Sequence, residues 1–160
     1  MTRKTLSRTL TTLLIPALAL LAAPAALADD ADDVMEVVYR WAATEHDLEE
    51  QAKLIRSDRI QVAGGVRQSD QAGNLAVQLA NHRARVRMAG GEPQMMVRIE
   101  SPIVRVYGGD TAVVSFVRLF NVIPNNQAPV NSSAWFTLVL VKERGEWGIA
   151  HSHVSGAGNN

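Results

Sequence analysis

Apolar residues recur along this chain with two different periods, and the change between them falls near Pro93. Val34, Val37, Val38, Trp41 and Ala42 follow the i, i+3, i+4, i+7, i+8 spacing of one helical face, which predicts a first amphipathic helix. The acidic residues at its start suit the positive end of the helix dipole. His46-Asp47 marks a break, and Asp47 with Glu50 reads as a capping box for a short second helix through about Ile55. Leu48, Ala52 and Ile55 give that helix one apolar face. Ile60-Gln61-Val62 is a short strand candidate ended by Gly64-Gly65, and a polar loop with Gln68, Ser69, Asp70 and Gly73 follows. Leu75, Leu79, His82 and Val86 form a third helical stripe that stops near Gly90-Gly91.

Beyond Pro93 the pattern turns to strands. Gln94 to Tyr107 is extended, with Pro102 forcing a bulge or an edge position. Gly108-Gly109-Asp110 is a turn, Ala112 to Val122 the next strand, and Pro124 to Pro129 a polar loop. Ser133 to Lys142 and the stretch from Trp147 to Ser155 are the last two strands, joined by a hairpin turn at Glu143-Arg144-Gly145-Glu146. Three helices followed by an antiparallel meander predict an α+β fold: three N-terminal helices packed on a curved, mainly antiparallel sheet. A long sheet with helices on one side curls around them as a cone or half-barrel. The space between is where a ligand would sit.

The N-terminus changes the account of what the mature protein contains. Arg3, Lys4 and Arg8 form a basic start, Leu10 to Leu21 is largely apolar but broken by Pro16, and Ala26-Leu27-Ala28 is a small-x-small cleavage pattern. Residues 1–28 therefore read as a signal peptide rather than a membrane span. The protein is expected to be exported, to the periplasm or the extracellular space, with no stable membrane anchor after cleavage. Residues 29–160 are then a single domain, large enough to bury a core. There is no cysteine among the 160 residues, so that core has no disulfide to support it. The full chain balances 16 basic against 16 acidic residues, whereas residues 29–160 carry 13 basic residues against those 16, a formal charge of −3. That balance argues against nucleic acid as a partner.

Candidate chemistry is sparse. Strict alternation along the last strand places Trp147, Ile149, His151 and His153 on one face. The two imidazoles have the intrinsic pKa of general acid–base groups. As metal ligands they would need a third donor from His46, His82 or Asp58, none at diagnostic spacing, so no metal site is assigned. Arg118 shares a strand face with Val114, Phe116 and Phe120, where it either binds an anionic ligand group or reaches the rim. Tyr39 is a candidate pocket phenol. Trp41 and Trp147 read as core. The basic run from His82 to Arg87 reads as a solvated helix face. The chain has no glycine-rich phosphate loop, no Ser-His-Asp spacing and no paired-carboxylate signature, and no cofactor is assigned.

Three segments together carry a resemblance: Trp41 to Asp47, the turn Gly109-Asp110-Thr111-Ala112, and the closing run from Lys142 to Ser155. They resemble SnoaL-like proteins of the nuclear-transport-factor-2-like superfamily, with its cystatin-like cone, over about Val34 to Ser155. The resemblance implies an internal pocket and a choice among activities that include ketosteroid isomerases, dehydratases, cyclases and kinase association domains. The isomerase pattern aligns Tyr39 with the helix-1 tyrosine, eight residues before Asp47, but places Ala63 where the catalytic carboxylate belongs. Ala63 cannot accept a proton, so no complete catalytic constellation is present. Trp135 stands where the family often carries an Arg, which implies a more apolar pocket mouth. The leading expectation is a secreted domain that binds a small apolar molecule carrying one polar or anionic oxygen. Its ligand residues would be Tyr39, Phe116, Arg118, Phe120, Trp135, His151 and His153. One alternative is an isomerase, dehydratase or cyclase using His151 or His153 with Tyr39. Another is a domain for self-association through its sheet. A homodimer is expected in any case, because Val113, Val117 and Leu119 make the convex sheet face apolar as well.

Overall fold

The four C-terminal strands follow one another with no helix between them, so each pairs antiparallel with its predecessor. They are β3 (Gln94–Tyr107), β4 (Thr111–Ile123), β5 (Val130–Glu143) and β6 (Glu146–Gly156). The computed structural model describes residues 23–157 of the chain. Ahead of the meander lie α1 (Ala23–Ala43), α2 (Leu48–Ala52), β1 (Ile55–Ala63), β2 (Val66–Gln68) and α3 (Gln71–Met88). β1 lies parallel against β6 and antiparallel to β2, giving one open mixed sheet in the order β2-β1-β6-β5-β4-β3. The α+β cone expected from the sequence is the fold of the protein. Most of the expected signal segment lies outside the described residues, and α1 begins inside it at Ala23.

The expected Asp47 cap forms: its side chain accepts the Glu50 backbone N–H at 3.1 Å and starts α2. Asp70, expected in a loop, caps as well, accepting the Gly73 N–H at 2.9 Å and starting α3. The Glu143–Glu146 hairpin turns on two consecutive residues with positive φ, Arg144 at 54° and Gly145 at 88°, the backbone that matches the twist of the flanking strands. Pro102 sits in the expected bulge, where the β3–β4 register shifts between Glu100 and Ile103.

Two differences from the sequence pattern matter for function. β1 begins at Ile55, five residues before the expected strand, and pairs through Gly64-Gly65 with a β2 whose three residues are all exposed. A three-residue strand that buries none of its side chains carries no periodic signal. The second difference is in β6. Leu140 pairs with Ile149, yet the next β5 residue back, Val139, pairs with His151, so Ala150 is an extra residue. That bulge reverses the alternation.

The core lies on the concave face. Val34, Val38 and Trp41 of α1 are buried against Val114, Phe116, Phe136, Leu138 and Leu140 of the sheet. Phe116 and Phe136 stack at 5.6 Å between ring centroids, with Trp41 tilted against both. This aromatic floor supports one wall of the cavity described next.

Candidate ligand-binding site

Alternation along β1 puts Arg59, Gln61 and Ala63 inside the cone and Ile60 and Val62 outside. The polarity is inverted: Arg59 is 6% exposed, while Ile60 is 44% exposed. A strand that turns its charge inward and its aliphatics outward breaks the usual rule, and such breaks concentrate at functional sites. The inner residues of β1 line a cavity of about 310 Å³, at the lower end of the range for small-molecule sites. Trp41, Phe136, Leu138 and Ile149 form its apolar wall.

The opposite wall comes from α3, which also presents polar side chains inward. Gln71 and Asn74 are buried, and Gln78, Asn81 and Arg85 line the cavity. These five residues step by three and four along the helix, the spacing of a single face. The apolar stripe Leu75, Leu79, His82 and Val86 is only half-buried beside it.

Two guanidinium groups dominate the electrostatics. Arg59 donates from Nη1 to Ser152 Oγ at 3.4 Å, and its Nε has no partner among the described residues. No ion pair forms at Arg59 among those residues, and burial pulls its pKa below the ordinary guanidinium value. Arg118 reaches the same cavity and stacks over Phe136 at 4.8 Å and Phe120 at 4.9 Å. Burial lowers its pKa too, opposed by Glu45. Glu45 Oε1 accepts from Arg118 Nη1 at 3.4 Å, and Glu45 Oε2 accepts from Gln51 Nε2 at 2.9 Å. Gln51 also donates to the Trp41 carbonyl at 2.9 Å. Glu45 is thus fixed from α2 and holds Arg118 at the long end of hydrogen-bond distance. Arg118 Nε and Gln61 Oε1 are likewise buried without a partner.

The cavity therefore contains Arg59, Arg118 and Arg85 against one carboxylate, Glu45. A buried charge without a counterion is costly, by several kcal/mol on the usual scale. Arg59 and Arg118 both line this cavity, so an acceptor that enters it meets their guanidinium groups. A carboxylate or a similar planar anion fits the fork geometry of the guanidinium groups.

The residues singled out from the sequence divide sharply. Arg118 lines the cavity, and Phe120 supports it from the neighbouring hollow. Phe116 is fully buried and belongs to the core floor. His151 and His153 pair with Val139 and Thr137, whereas Ser152 pairs with the buried Leu138. The two imidazoles therefore face the convex side, and the expected single face with Trp147 and Ile149 is corrected by the bulge at Ala150. Ser152 and Val154 take their place in the cavity. Trp135 also lies on the convex face, 47% exposed, paired with Val117 and Ser155. Tyr39 is 52% exposed on the outer side of α1. Neither joins Arg118. Ala63, the aligned position of the isomerase base, does line the cavity. Among the described residues no group of three His, Cys, Asp or Glu side chains gathers as a metal site, and no helix is long and apolar enough to cross a membrane.

The open curved sheet wrapped on helices, with a cavity at its concave face, defines the nuclear-transport-factor-2-like, cystatin-like class. The chain belongs to the calcium/calmodulin dependent protein kinase II association domain family, whose model matches residues 31–158. Solved structures share the fold. A nuclear-transport-factor-2-like protein with a cystatin-like fold from Novosphingobium aromaticivorans superposes with a TM-score of 0.71 at 17% identity, covering 91% of this chain and 94% of that one. The association domain of calcium/calmodulin dependent protein kinase II from C. elegans gives 0.65 at 18% identity, covering 81% and 97%. A candidate dehydratase of the same superfamily from Streptomyces avermitilis gives 0.68 at 16% identity, covering 82% and 98%. A search of the curated proteins finds no match.

Proposed function

We propose that this protein is an exported, self-associating domain whose cone binds a small organic carboxylate with an apolar body. One observation carries the reading: among the described residues Arg59 is buried without an acidic partner, and it shares its cavity with Arg118. The carboxylate bridges the two guanidinium groups, Gln61 and the α3 amides bind its remaining polar atoms, and Trp41 and Leu138 pack against its body. Glu45 orients Arg118 and disfavours a second negative charge on the ligand.

Self-association uses the convex face. Ile60, Ile103, Trp135 and Met96 are all exposed there, next to half-buried Val113, Val117, Val139 and Leu119. An apolar surface of this kind is stabilised by burial against a second copy. Membership of an association-domain family supports the same conclusion, and the expected product is a homodimer that pairs sheet faces. It also accounts for the outward aliphatics of β1.

Calorimetric titration with phenylacetate, and with 2-phenylethanol as its neutral counterpart, tests the binding site. Phenylacetate binds the wild type, and Arg59→Gln weakens it by roughly tenfold or more, the scale of one charge-assisted hydrogen bond. The alcohol binds weakly and indifferently to the substitution. Equal binding of the two compounds, or no effect of Arg59→Gln, would overturn the proposal.

A further inference from the structure

A second hollow of about 280 Å³ adjoins the cavity, and Arg85 lines both. Its character is different. Its wall is mostly apolar, with Met88, Met95, Phe120, Val122 and Val130 among its lining residues and His82 and Gln127 as polar ones. The β4–β5 loop closes it by holding the end of α3: Asn126 Nδ2 donates to the Met88 carbonyl at 3.2 Å and Gln127 Nε2 to the same oxygen at 3.4 Å.

Strand β4 connects the two spaces. Phe116, Arg118, Phe120 and Val122 are successive inward residues, running from the core floor through the charged cavity into the apolar hollow. The Arg118 guanidinium lies 4.9 Å from the Phe120 ring centre, so the charged and apolar sites share a wall. From Arg118 to Val122 the strand advances about 13 Å at the usual rise per residue.

We infer that the natural ligand is an amphiphilic monocarboxylate whose head sits between Arg59 and Arg118 and whose aliphatic tail passes under Arg85 into the hollow bounded by Phe120, Val122 and Val130. The inference rests on the carboxylate reading above and adds the length and character of the ligand body. Arg85 lines both spaces; its aliphatic stem covers the tail while its head stays in water. Short acids fill the first cavity alone. Longer saturated acids gain apolar burial in the second.

Titration of the purified protein with butanoate, octanoate and dodecanoate, and with dodecanol as the uncharged control, separates the alternatives. Affinity should rise steeply from octanoate to dodecanoate, by roughly fourfold per added methylene if each is fully buried. Dodecanol should bind far more weakly than dodecanoate. Val130→Glu alters a side chain that is 57% exposed and paired with Val122, so the fold tolerates it. It should abolish the rise with chain length and leave butanoate affinity unchanged. Val122→Asp, deeper in the hollow, should do the same. Butanoate binding that depends on Arg59 but does not strengthen with length would overturn the tail site and leave the carboxylate site standing. A rise that survives both substitutions would place the tail elsewhere and overturn it equally. Failure of all three acids to bind would remove the carboxylate reading together with this one.

Discussion

Replacing Arg59 with methionine should stabilise the ligand-free protein while removing its ligand. Among the described residues the guanidinium makes one hydrogen bond, at 3.4 Å, its Nε makes none, and the buried side chain has no acidic partner. Methionine keeps an unbranched apolar stem in the cavity wall and needs no counterion. Replacing buried ionic groups by apolar ones of similar volume stabilises other proteins by about 1–4 kcal/mol. Arg59 faces a cavity open to solvent, which lessens its loss of hydration, so the lower half of that range, about 1–2 kcal/mol, is expected. For a domain of this size that corresponds to about 3–8 °C in Tm. The assay is thermal unfolding at pH 7 after exhaustive dialysis, with and without phenylacetate. The wild type should melt lower than Arg59→Met without the acid and rise when it is added, while the variant should not respond. A variant that melts several degrees below the wild type in the absence of ligand would refute the reasoning, because it would mean that the fold itself satisfies Arg59.

Trp135→Asp, on the convex face, should convert a dimer into a monomer by light scattering at micromolar concentration and leave phenylacetate affinity unchanged; a wild-type monomer would remove the sheet-face dimer. His153→Ala should leave phenylacetate affinity unchanged, since the imidazole points away from the cavity; a tenfold loss would place it back in the site. The carboxylate of Asp30 raises the pKa of Lys142 above its ordinary value. A raised amine contributes stability that is complete below the unfolded-state value, about 10.4, and is lost as pH rises through the higher folded value. Lys142→Gln should therefore flatten the alkaline limb of the stability profile, and an unchanged limb would show that the pair is not coupled to folding. Intact-mass analysis of the exported fraction should give residues 29–160; a mass matching the full chain would end the export proposal.

Where the sequence was legible, a periodic pattern met the core. Val34, Val38 and Trp41 on α1, and Val114 and Phe116 on β4, face inward as their spacing requires, and Asp47 starts a helix because its side chain satisfies a free backbone N–H. The candidate site was legible only in Arg118 and Phe120. The histidines failed for a single reason: one inserted residue, Ala150, has no signature of its own but turns over every side chain after it. Tyr39 and Trp135 failed because an aromatic at a helix or strand position can face either way, and spacing alone does not fix which. Arg59 and Gln61 carry no sequence signal of a site, because β1 turns its polar residues inward and its aliphatics Ile60 and Val62 outward, against the usual pattern. A usable signal existed in α3. Gln71, Asn74, Gln78, Asn81 and Arg85 repeat at three- and four-residue steps, and a polar stripe as regular as an apolar one marks a helix face turned toward something polar.

The most direct test is a crystal structure of the protein grown with phenylacetate. The account predicts the carboxylate within about 3 Å of the Arg59 guanidinium, at charge-assisted hydrogen-bond distance, with a second oxygen toward Arg118 and the ring against Trp41 and Leu138. A ligand bound on the convex face beside His151 and His153, or an Arg59 paired with an acidic side chain of the protein in an empty cone, would contradict it.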